Sequence, residues 1–219
     1  HGGITMAKTP EQINAIIAEL ERLYPEGPDL CSLEYNKDYE LLFSVRLAAQ
    51  CTDERVNQVT PGLFSRFPTL EALANADLSE VEMLVHSTGF FRAKARDIVL
   101  ASQMLLEQHG GKVPGTMEEL LRIPGIGRKT ANLLLGDIHK KPGAIVCDTH
   151  CIRICGRLGL SEGKDPEKVE RQLRLILPPE ESNDFCHRIV LFGREVCTAR
   201  KPKCEECPLA IHCQEVNKS

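Results

Sequence analysis

Residues 116–138 read TMEELLRIPGIGRKTANLLLGDI and place two short helical patterns on either side of a glycine turn. Gly125 and Gly127 allow a positive φ angle and the close approach of another backbone. Because the second helical pattern begins directly after the turn, its first amide groups point outward, where a phosphate can bind. The segment therefore predicts a helical hairpin with an anion site at its turn.

Three polar residues follow the turn, namely Arg128, Lys129 and Thr130. A glycine turn that opens on two cations resembles the helix-hairpin-helix motif, which binds the DNA backbone without reading its sequence. Lys129 has two interpretations. It could be a cation that faces a phosphate, or it could be an amine nucleophile. The helix N-terminus and Arg128 would favour the neutral form that a nucleophile requires. A plain turn between helices is the alternative for the whole segment.

Apolar residues recur at helical spacing along nearly the whole chain. In residues 9–23 the stripe follows Thr9, Pro10 and Gln12, which form a capping box with proline at the first helical position. Further helices are predicted at residues 38–50, 53–67, 69–75, 78–86, 92–109, 116–122, 128–138, 149–158, 166–177 and 183–193. No long stretch alternates with period two, so the prediction is an all-α fold with a loop-rich cysteine tail.

The composition indicates a soluble globular protein of one large or two modest domains, since 42% of its 219 residues are hydrophobic. No apolar run approaches the roughly 18 residues of a membrane span, so no membrane association is expected. Ten cysteines without a secretory signal indicate a reducing compartment, and the cytoplasm is the expected location. His1 to Thr5 are interpreted as an expression-vector remnant before Met6.

Charge is distributed unevenly along the chain. Residues 1–121 carry 10 Lys and Arg against 18 Asp and Glu, whereas residues 122–219 carry 17 against 13. The second part is therefore the candidate surface for a polyanion. Ordinary variation of surface charge is the alternative.

Residues 197–213, CTARKPKCEECPLAIHC, hold four cysteines spaced C-x6-C-x2-C-x5-C. The four are Cys197, Cys204, Cys207 and Cys213. Spacing alone leaves zinc and a [4Fe-4S] cluster open, because both accept an all-cysteine ligand set. Arg200, Lys201 and Lys203 lie in the first loop, where a bound metal would fix these cations before DNA binds. A solvated charged loop is the alternative.

Asp148 lies in the segment CDTH, 19 residues after Lys129 and just before an apolar helical pattern. Its simplest role is the N-cap of that helix. A carboxylate there could also stabilise positive charge on a sugar ring or assist proton transfer.

Cys147, Cys151 and Cys155 follow at helical spacing; they are interpreted as reduced and partly buried, since no fourth metal ligand is evident on that face.

The hairpin IPGIGRKTAN, the segment CDTH and the cysteine tail occur in this order and together resemble the endonuclease III family of DNA glycosylases. The similarity extends to LAAQCTDERVN and STGFFRAKA and covers almost the whole chain. The resemblance implies a two-lobed helix-hairpin-helix glycosylase fold. One lobe would comprise residues 31–141 and the other residues 6–30 with 142–219, and DNA would bind between Lys129 and Asp148.

The resemblance also implies a chemistry. Lys129 would attack C1′, expel an oxidised pyrimidine such as thymine glycol and form a Schiff base, after which the 3′ phosphate leaves by β-elimination. Asp148 would be the supporting carboxylate. Gln50 and Phe90 match positions that fill the space of the flipped nucleotide, although a leucine is expected where Phe90 stands. His150 matches a residue that lines the damage pocket.

Of the two metal centres that the cysteine spacing allows, the same resemblance implies the [4Fe-4S] cluster and not zinc. It also implies a monomer that acts on double-stranded DNA with damaged bases or abasic sites. Two other functions remain open at this point. An adenine-mismatch glycosylase would lack the lysine and carry a glutamate where Val45 stands, so Lys129 and Val45 favour the bifunctional enzyme. A non-catalytic DNA-binding iron-sulfur protein would make the combination of Lys129 and Asp148 a coincidence.

Overall fold

The computed structural model describes residues 8–25 and 30–216, which form two compact units. One unit contains the described residues of His1–Leu30 and Lys140–Ser219, and the other is Cys31–His139. The interpretation of His1 to Thr5 as a remnant falls outside the described residues. The all-α prediction is confirmed, since the described residues contain helices and no strand.

Eleven α-helices lie in the part of the chain that the structure describes. They are α1 Pro10–Leu23, α2 Asp38–Leu47, α3 Asp53–Arg66, α4 Leu70–Ala74, α5 Leu78–Val85, α6 Phe91–His109, α7 Met117–Leu121, α8 Arg128–Asp137, α9 Thr149–Leu158, α10 Pro166–Ile176 and α11 Ser182–Glu195. Short 3-10 turns occur at His86–Thr88, Pro179–Glu181, Cys204–Glu206 and Ala210–His212. Among the described helices, none combines the length and the apolar character needed to cross a membrane.

The helix starts follow their sequence signals. At α1 the Thr9 hydroxyl accepts from the Gln12 amide at 3.2 Å, and the Gln12 side chain accepts from the Thr9 amide at 2.9 Å. The predicted capping box is therefore confirmed. Thr116 caps α7 through its hydroxyl, which accepts from the Glu119 amide at 3.2 Å and donates to Glu119 Oε1 at 2.8 Å.

The end of α2 differs from the prediction. The apolar pattern predicts a helix to Gln50, but α2 ends at Leu47 and a turn follows. Gln50 has a φ angle of 52°, and a residue in the left-handed region cannot continue an α-helix. The reversal leaves Gln50 exposed on the turn.

A largely buried ion pair joins helices of the Cys31–His139 unit. Arg46 on α2 donates from Nε to Asp97 Oδ2 on α6 at 2.7 Å, and the two side chains are only 16% and 14% exposed. Gly125 of the hairpin turn rests against this pair. A Cβ built on Gly125 would lie 2.5 Å from Arg46 Cδ and 2.7 Å from Asp97 Oδ2, closer than real Cβ contacts.

The other unit has its own apolar core. Ile16, Ile17 and Leu20 of α1 are buried against residues of α9, α10 and α11. Two polar contacts fix the connections: Arg188 Nε donates to the Tyr24 carbonyl at 2.8 Å, and the Ser182 hydroxyl donates to the Ala144 carbonyl at 2.9 Å. The N-terminal helix therefore belongs with the C-terminal part of the chain.

Gly125→Ala is expected to lower the free energy of unfolding by about 2 kcal/mol, because alanine is strained at a φ angle of 82° and its methyl group would displace the Arg46–Asp97 pair. Gly62→Ala is the matched control. Gly62 lies inside α3 with nothing within 4 Å of an added Cβ, so this substitution should raise stability by about 0.5–1 kcal/mol. Urea denaturation measures both, and unchanged stability for Gly125→Ala would contradict the packing argument.

Candidate functional site

Two buried isoleucines support the hairpin turn. Ile123 and Ile126 are buried, and the Ile126 amide donates to the Ile123 carbonyl at 3.1 Å. Gly125, which lies between the isoleucines, and Gly127, which follows Ile126, are exposed. The apolar side chains thus fix the turn while its glycines leave the backbone open to a ligand.

The turn leads directly into the N-terminus of α8. Gly127 is the N-cap residue and has no side chain to accept from the first-turn amides. Lys129 is the second residue of α8 and is exposed, whereas Ala131 and Asn132 behind it are buried. An uncapped helix N-terminus beside Arg128 and Lys129 favours an anion such as a backbone phosphate.

Gln50 and Phe90 share an unusual backbone conformation in the same unit. Their φ angles are 52° and 47°, in the left-handed region that residues other than glycine rarely adopt. Both side chains are exposed, and the Phe90 ring is 66% exposed. A strained turn that presents a large apolar side chain to solvent is typical of a binding surface.

Asp148 is the N-cap of α9 in the other unit, as predicted from the sequence. Its Oδ1 accepts from the Cys151 amide at 2.7 Å. The residue is half-buried, one carboxylate oxygen orients the helix start, and the other oxygen is a further acceptor. Asp148 can therefore cap α9 and still present an acceptor to a ligand.

His150, two residues further, has a defined orientation. The Arg153 Nη2 lies 3.0 Å from Nδ1 of His150, and since arginine only donates, Nδ1 is the acceptor. Burial lowers the pKa of His150; Asp148 opposes this effect, whereas Arg153 and Arg194 reinforce it. Gly193 makes room for the ring, since an added Cβ would lie 2.6 Å from His150 Nδ1. The His150 side chain is therefore a neutral imidazole whose proton lies on Nε2, and Nε2 is its hydrogen-bond donor.

The four tail cysteines line one cavity of about 140 Å³. Apolar side chains form most of the remaining wall, and three charged residues also line it; the apolar ones include Ile154, Leu158, Phe192, Val196 and Val216, and the charged ones are Arg157, Lys203 and Glu215. Burial raises the pKa of the Cys207 thiol, a backbone bond at Leu209 lowers it, and negative charge at the other three cysteines raises it. Four cysteines around one mostly apolar cavity fit a cluster with an all-thiolate ligand set.

Two arginines of α9 bind the start of the cysteine tail. Arg157 Nη1 donates to Cys197 Sγ at 3.2 Å and to the Thr198 carbonyl at 2.9 Å, and Arg153 Nη2 donates to the Cys197 carbonyl at 2.9 Å. These bonds connect the cavity to the helix that Asp148 caps. The cations of the predicted basic loop, Arg200, Lys201 and Lys203, are all exposed.

A second group of cysteines lies in the core of the same unit. Cys147, Cys151 and Cys155 are joined there by Cys186 of α11, the fourth thiol that the sequence analysis did not find. Hydrogen bonds with Cys147, Cys155 and Cys186, together with burial, raise the pKa of Cys151 well above its usual value. Among the described residues, neither these sulfurs nor those of the tail include three within 4.8 Å of one another, the spacing for a single shared metal ion. Cys151 is a protonated thiol packed among the other three.

The predicted site residues thus fall into two sets. The Cys31–His139 unit holds Gln50, Phe90 and the hairpin with Lys129; the other unit holds Asp148, His150 and the four tail cysteines. Binding of DNA between Lys129 and Asp148 stays a prediction, because the two residues belong to different units. The roles of Arg153 and Arg157 were missed, although their spacing on the same face of α9 is a readable signal.

Two family models match the chain. One is described as HhH-GPD superfamily base excision DNA repair protein and covers residues 43–179, and the other is described as the iron-sulfur binding domain of endonuclease III and covers residues 197–213. Endonuclease III of Synechocystis sp. is 45% identical over 214 residues, which are 98% of this chain and 97% of that protein. Endonuclease III of Bacillus subtilis is 38% identical over 95% of this chain and 94% of that protein.

Solved structures agree with the sequence matches. A non-covalent endonuclease III–DNA complex superposes with a TM-score of 0.88 at 38% identity and covers 96% of this chain and 98% of that one. A trapped endonuclease III–DNA covalent intermediate gives the same values. A similarity of this extent includes both units of the chain and the cysteine tail.

Asp148→Ala is expected to lower the free energy of unfolding by about 1 kcal/mol because the Cys151 amide loses its acceptor, whereas Asp148→Asn should cost less than about 0.5 kcal/mol. Asp165→Ala removes the equivalent cap of α10 and is the matched control. Thermal and urea denaturation measure all three variants. Equal losses for Asn and Ala at position 148 would contradict a capping role.

Proposed function

Because the chain belongs to the endonuclease III family, we propose that Lys129 is its amine nucleophile. The protein is a base-excision-repair enzyme, a DNA glycosylase with abasic-site lyase activity, which binds damaged double-stranded DNA and carries a [4Fe-4S] cluster. The observation that supports the proposal for Lys129 is its exposed position at an uncapped helix N-terminus, directly after the glycine turn.

The hairpin is proposed to bind one DNA strand through its phosphates. The exposed backbone at Gly125 and Gly127 admits a phosphate, and Arg128 and Thr130 add a cation and a hydroxyl at the same helix N-terminus. Such contacts depend on charge and backbone shape, so they fix the position of the enzyme without selecting a sequence. Damage must then be recognised by other residues.

Gln50 and Phe90 are proposed to occupy the space that a flipped nucleotide leaves in the duplex. An enzyme that cuts a glycosidic bond must extrude the nucleotide, and filling the gap offsets part of the lost stacking. The exposed Phe90 ring offers a flat apolar surface for stacking against a neighbouring base. His150 is proposed to line the pocket for the extruded base, with its Nε2–H as the donor. Oxidised pyrimidines such as thymine glycol are the proposed substrates.

The proposed reaction joins Lys129 to C1′ of the damaged nucleotide. The neutral amine attacks C1′, the glycosidic bond breaks and the base leaves with its electron pair and takes up a proton. Loss of an amine proton and opening of the sugar ring give a Schiff base. Removal of a C2′ proton then breaks the bond between C3′ and its oxygen, and the 3′ phosphate leaves. Asp148 is proposed to stabilise the positive charge that develops and to assist these proton transfers.

Cys197, Cys204, Cys207 and Cys213 are proposed as the ligands of the [4Fe-4S] cluster. The cavity that they line fits this group in ligand type and in its apolar surroundings. When bound, the cluster supplies four iron–sulfur bonds that cross-link the tail. Arg200, Lys201 and Lys203 would then bind DNA phosphates from a loop that is already ordered, so less conformational entropy is lost on binding.

The cytoplasm, in contact with the nucleoid, is the proposed place of action, and a monomer the proposed form. Ten cysteines and an iron-sulfur cluster suit a reducing compartment. A chain that holds the hairpin, Asp148 and the cluster ligands has all the proposed groups within one copy.

Borohydride reduction of the enzyme with a duplex that contains one abasic site should give a covalent protein–DNA complex, because reduction makes the Schiff base permanent. Lys129→Gln should lose this complex almost completely, since an amide cannot form an imine. Lys112→Gln, which removes another exposed lysine of the same unit, should trap as the wild type does. The complex is measured as a shifted band on a denaturing gel.

Three results would overturn parts of this proposal. A wild type that releases thymine glycol but forms no covalent complex would be a monofunctional glycosylase, and one that only binds DNA would be a non-catalytic binding protein. Trapping by Lys129→Gln at the wild-type level would show that another amine is the nucleophile.

Cys204→Ala should lose most of the bound iron and the broad visible absorbance of the cluster, because a cubane with three thiolates is held less tightly than one with four. Cys31→Ala, outside the tail, should keep the wild-type iron content. Iron and sulfide analysis of the purified proteins measures this directly. A colourless, zinc-loaded wild type would contradict the ligand assignment.

A further inference from the structure

Lys94 is a fully buried lysine in α6, with 0% of its surface exposed. It lies on the core stripe of the helix with Ile98, Ala101 and Leu105. A lysine in such a position requires hydrogen-bond acceptors, because an unpaired buried ammonium group is strongly unfavourable. The proposed chemistry gives Lys94 no role.

The acceptors of Lys94 come from two separate turns. Its Nζ donates to the carbonyl of Leu47 at 2.7 Å and to the carbonyl of Thr88 at 2.8 Å. Leu47 is the last residue of α2, so its carbonyl carries the partial negative charge of a helix C-terminus. The Lys94 amide also donates to the Phe90 carbonyl at 3.1 Å.

These two turns carry the proposed DNA-inserting residues. Gln50 lies three residues after Leu47, and Phe90 lies two residues after Thr88. Both have left-handed φ angles, a conformation that persists only where surrounding contacts hold it. Their side chains are exposed, so the holding contacts must act on the backbone.

Burial lowers the pKa of Lys94, the nearby Cys51 raises it and Arg46 lowers it. The amine has at least two N–H groups in either protonation state, so both carbonyl bonds are available in both. The link between the turns therefore does not require the charged form.

We propose that Lys94 is a positioning residue that couples the Gln50 turn to the Phe90 turn, and so presents both side chains to DNA in one fixed arrangement. The inference rests on the proposed function of Gln50 and Phe90. One buried amine bonded to both turns makes their positions interdependent. Lys94 acts through these residues and does not touch the substrate.

The test compares two substrates for Lys94→Met, which keeps the length of the side chain and removes its donors. Base release from a duplex with one thymine glycol, under single-turnover conditions, should slow by about tenfold or more, since small misplacement of inserting groups is costly. Borohydride trapping on a single-stranded abasic oligonucleotide requires no base extrusion and should stay at the wild-type level. Ser102→Ala, which removes another buried donor of α6 that bonds to the Ile98 carbonyl of the same helix, should change neither rate.

A double-mutant cycle then separates positioning from general stability. In a chain that carries Gln50→Ala and Phe90→Ala, Lys94→Met should have much less effect on duplex base release than it has in the wild type, because its targets are gone. If the effects multiply instead, or if single-stranded trapping falls as far as base release, Lys94 supports the fold as a whole and the proposal is wrong.

Failure to fold is also decisive. If Lys94→Met does not fold, Lys94→Gln, which retains an N–H donor, is taken through the same cycle. If neither variant folds while Ser102→Ala does, Lys94 is needed for stability and the proposal fails. A wild type without base release or trapping would instead overturn the proposed function. Normal rates for Gln50→Ala with Phe90→Ala would show that these side chains do not act on DNA, which removes the basis of the inference.

Discussion

The ion pair between Arg46 and Asp97 is the interaction on which the Cys31–His139 unit depends. It joins α2 to α6, and the hairpin turn lies against it at Gly125, where only a glycine fits. The same two helices end or begin at the turns that present Gln50 and Phe90. One largely buried charge pair therefore holds together the two helices that flank these turns and the hairpin turn proposed to bind phosphate, and its low exposure protects it from screening by salt.

The other unit fixes its functional residues differently. Asp148 and His150 stand at the start of α9, and Arg153 and Arg157 further along that helix bind the first residues of the cysteine tail. The tail has only short 3-10 turns and exposed cations, so it contributes little apolar core of its own. With the four tail cysteines as the proposed ligands, a cluster would replace the core that this segment lacks, and the arginines would connect it to the capped start of α9.

Much of the fold was readable from local chemistry. The helix starts at Thr9 and Asp148 followed from their capping side chains, each of which accepts from the amide three residues further on. The motif order gave the family. The end of α2 was not readable, because the apolar pattern continues to Gln50 and the turn is fixed by contacts distant in sequence.

The same limit applies to two buried residues. Lys94 is an ordinary lysine in the sequence, and its two acceptors are 47 and 6 residues away. The sequence does not group Cys186 with the other core cysteines, because Cys186 lies on α11, far from them along the chain. In each case a tertiary contact, rather than a local pattern, determines the environment of the side chain.

The left-handed backbone at Gln50 and Phe90 also restricts how this enzyme can evolve. Side chains branched at Cβ are strongly disfavoured at such φ angles, so valine, isoleucine and threonine are poor replacements at both positions. Phenylalanine and the leucine expected at position 90 are both unbranched at Cβ and interchange without a change of backbone. For the proposed insertion into the duplex, tolerated variation at both positions is therefore restricted to side-chain length and shape beyond Cβ.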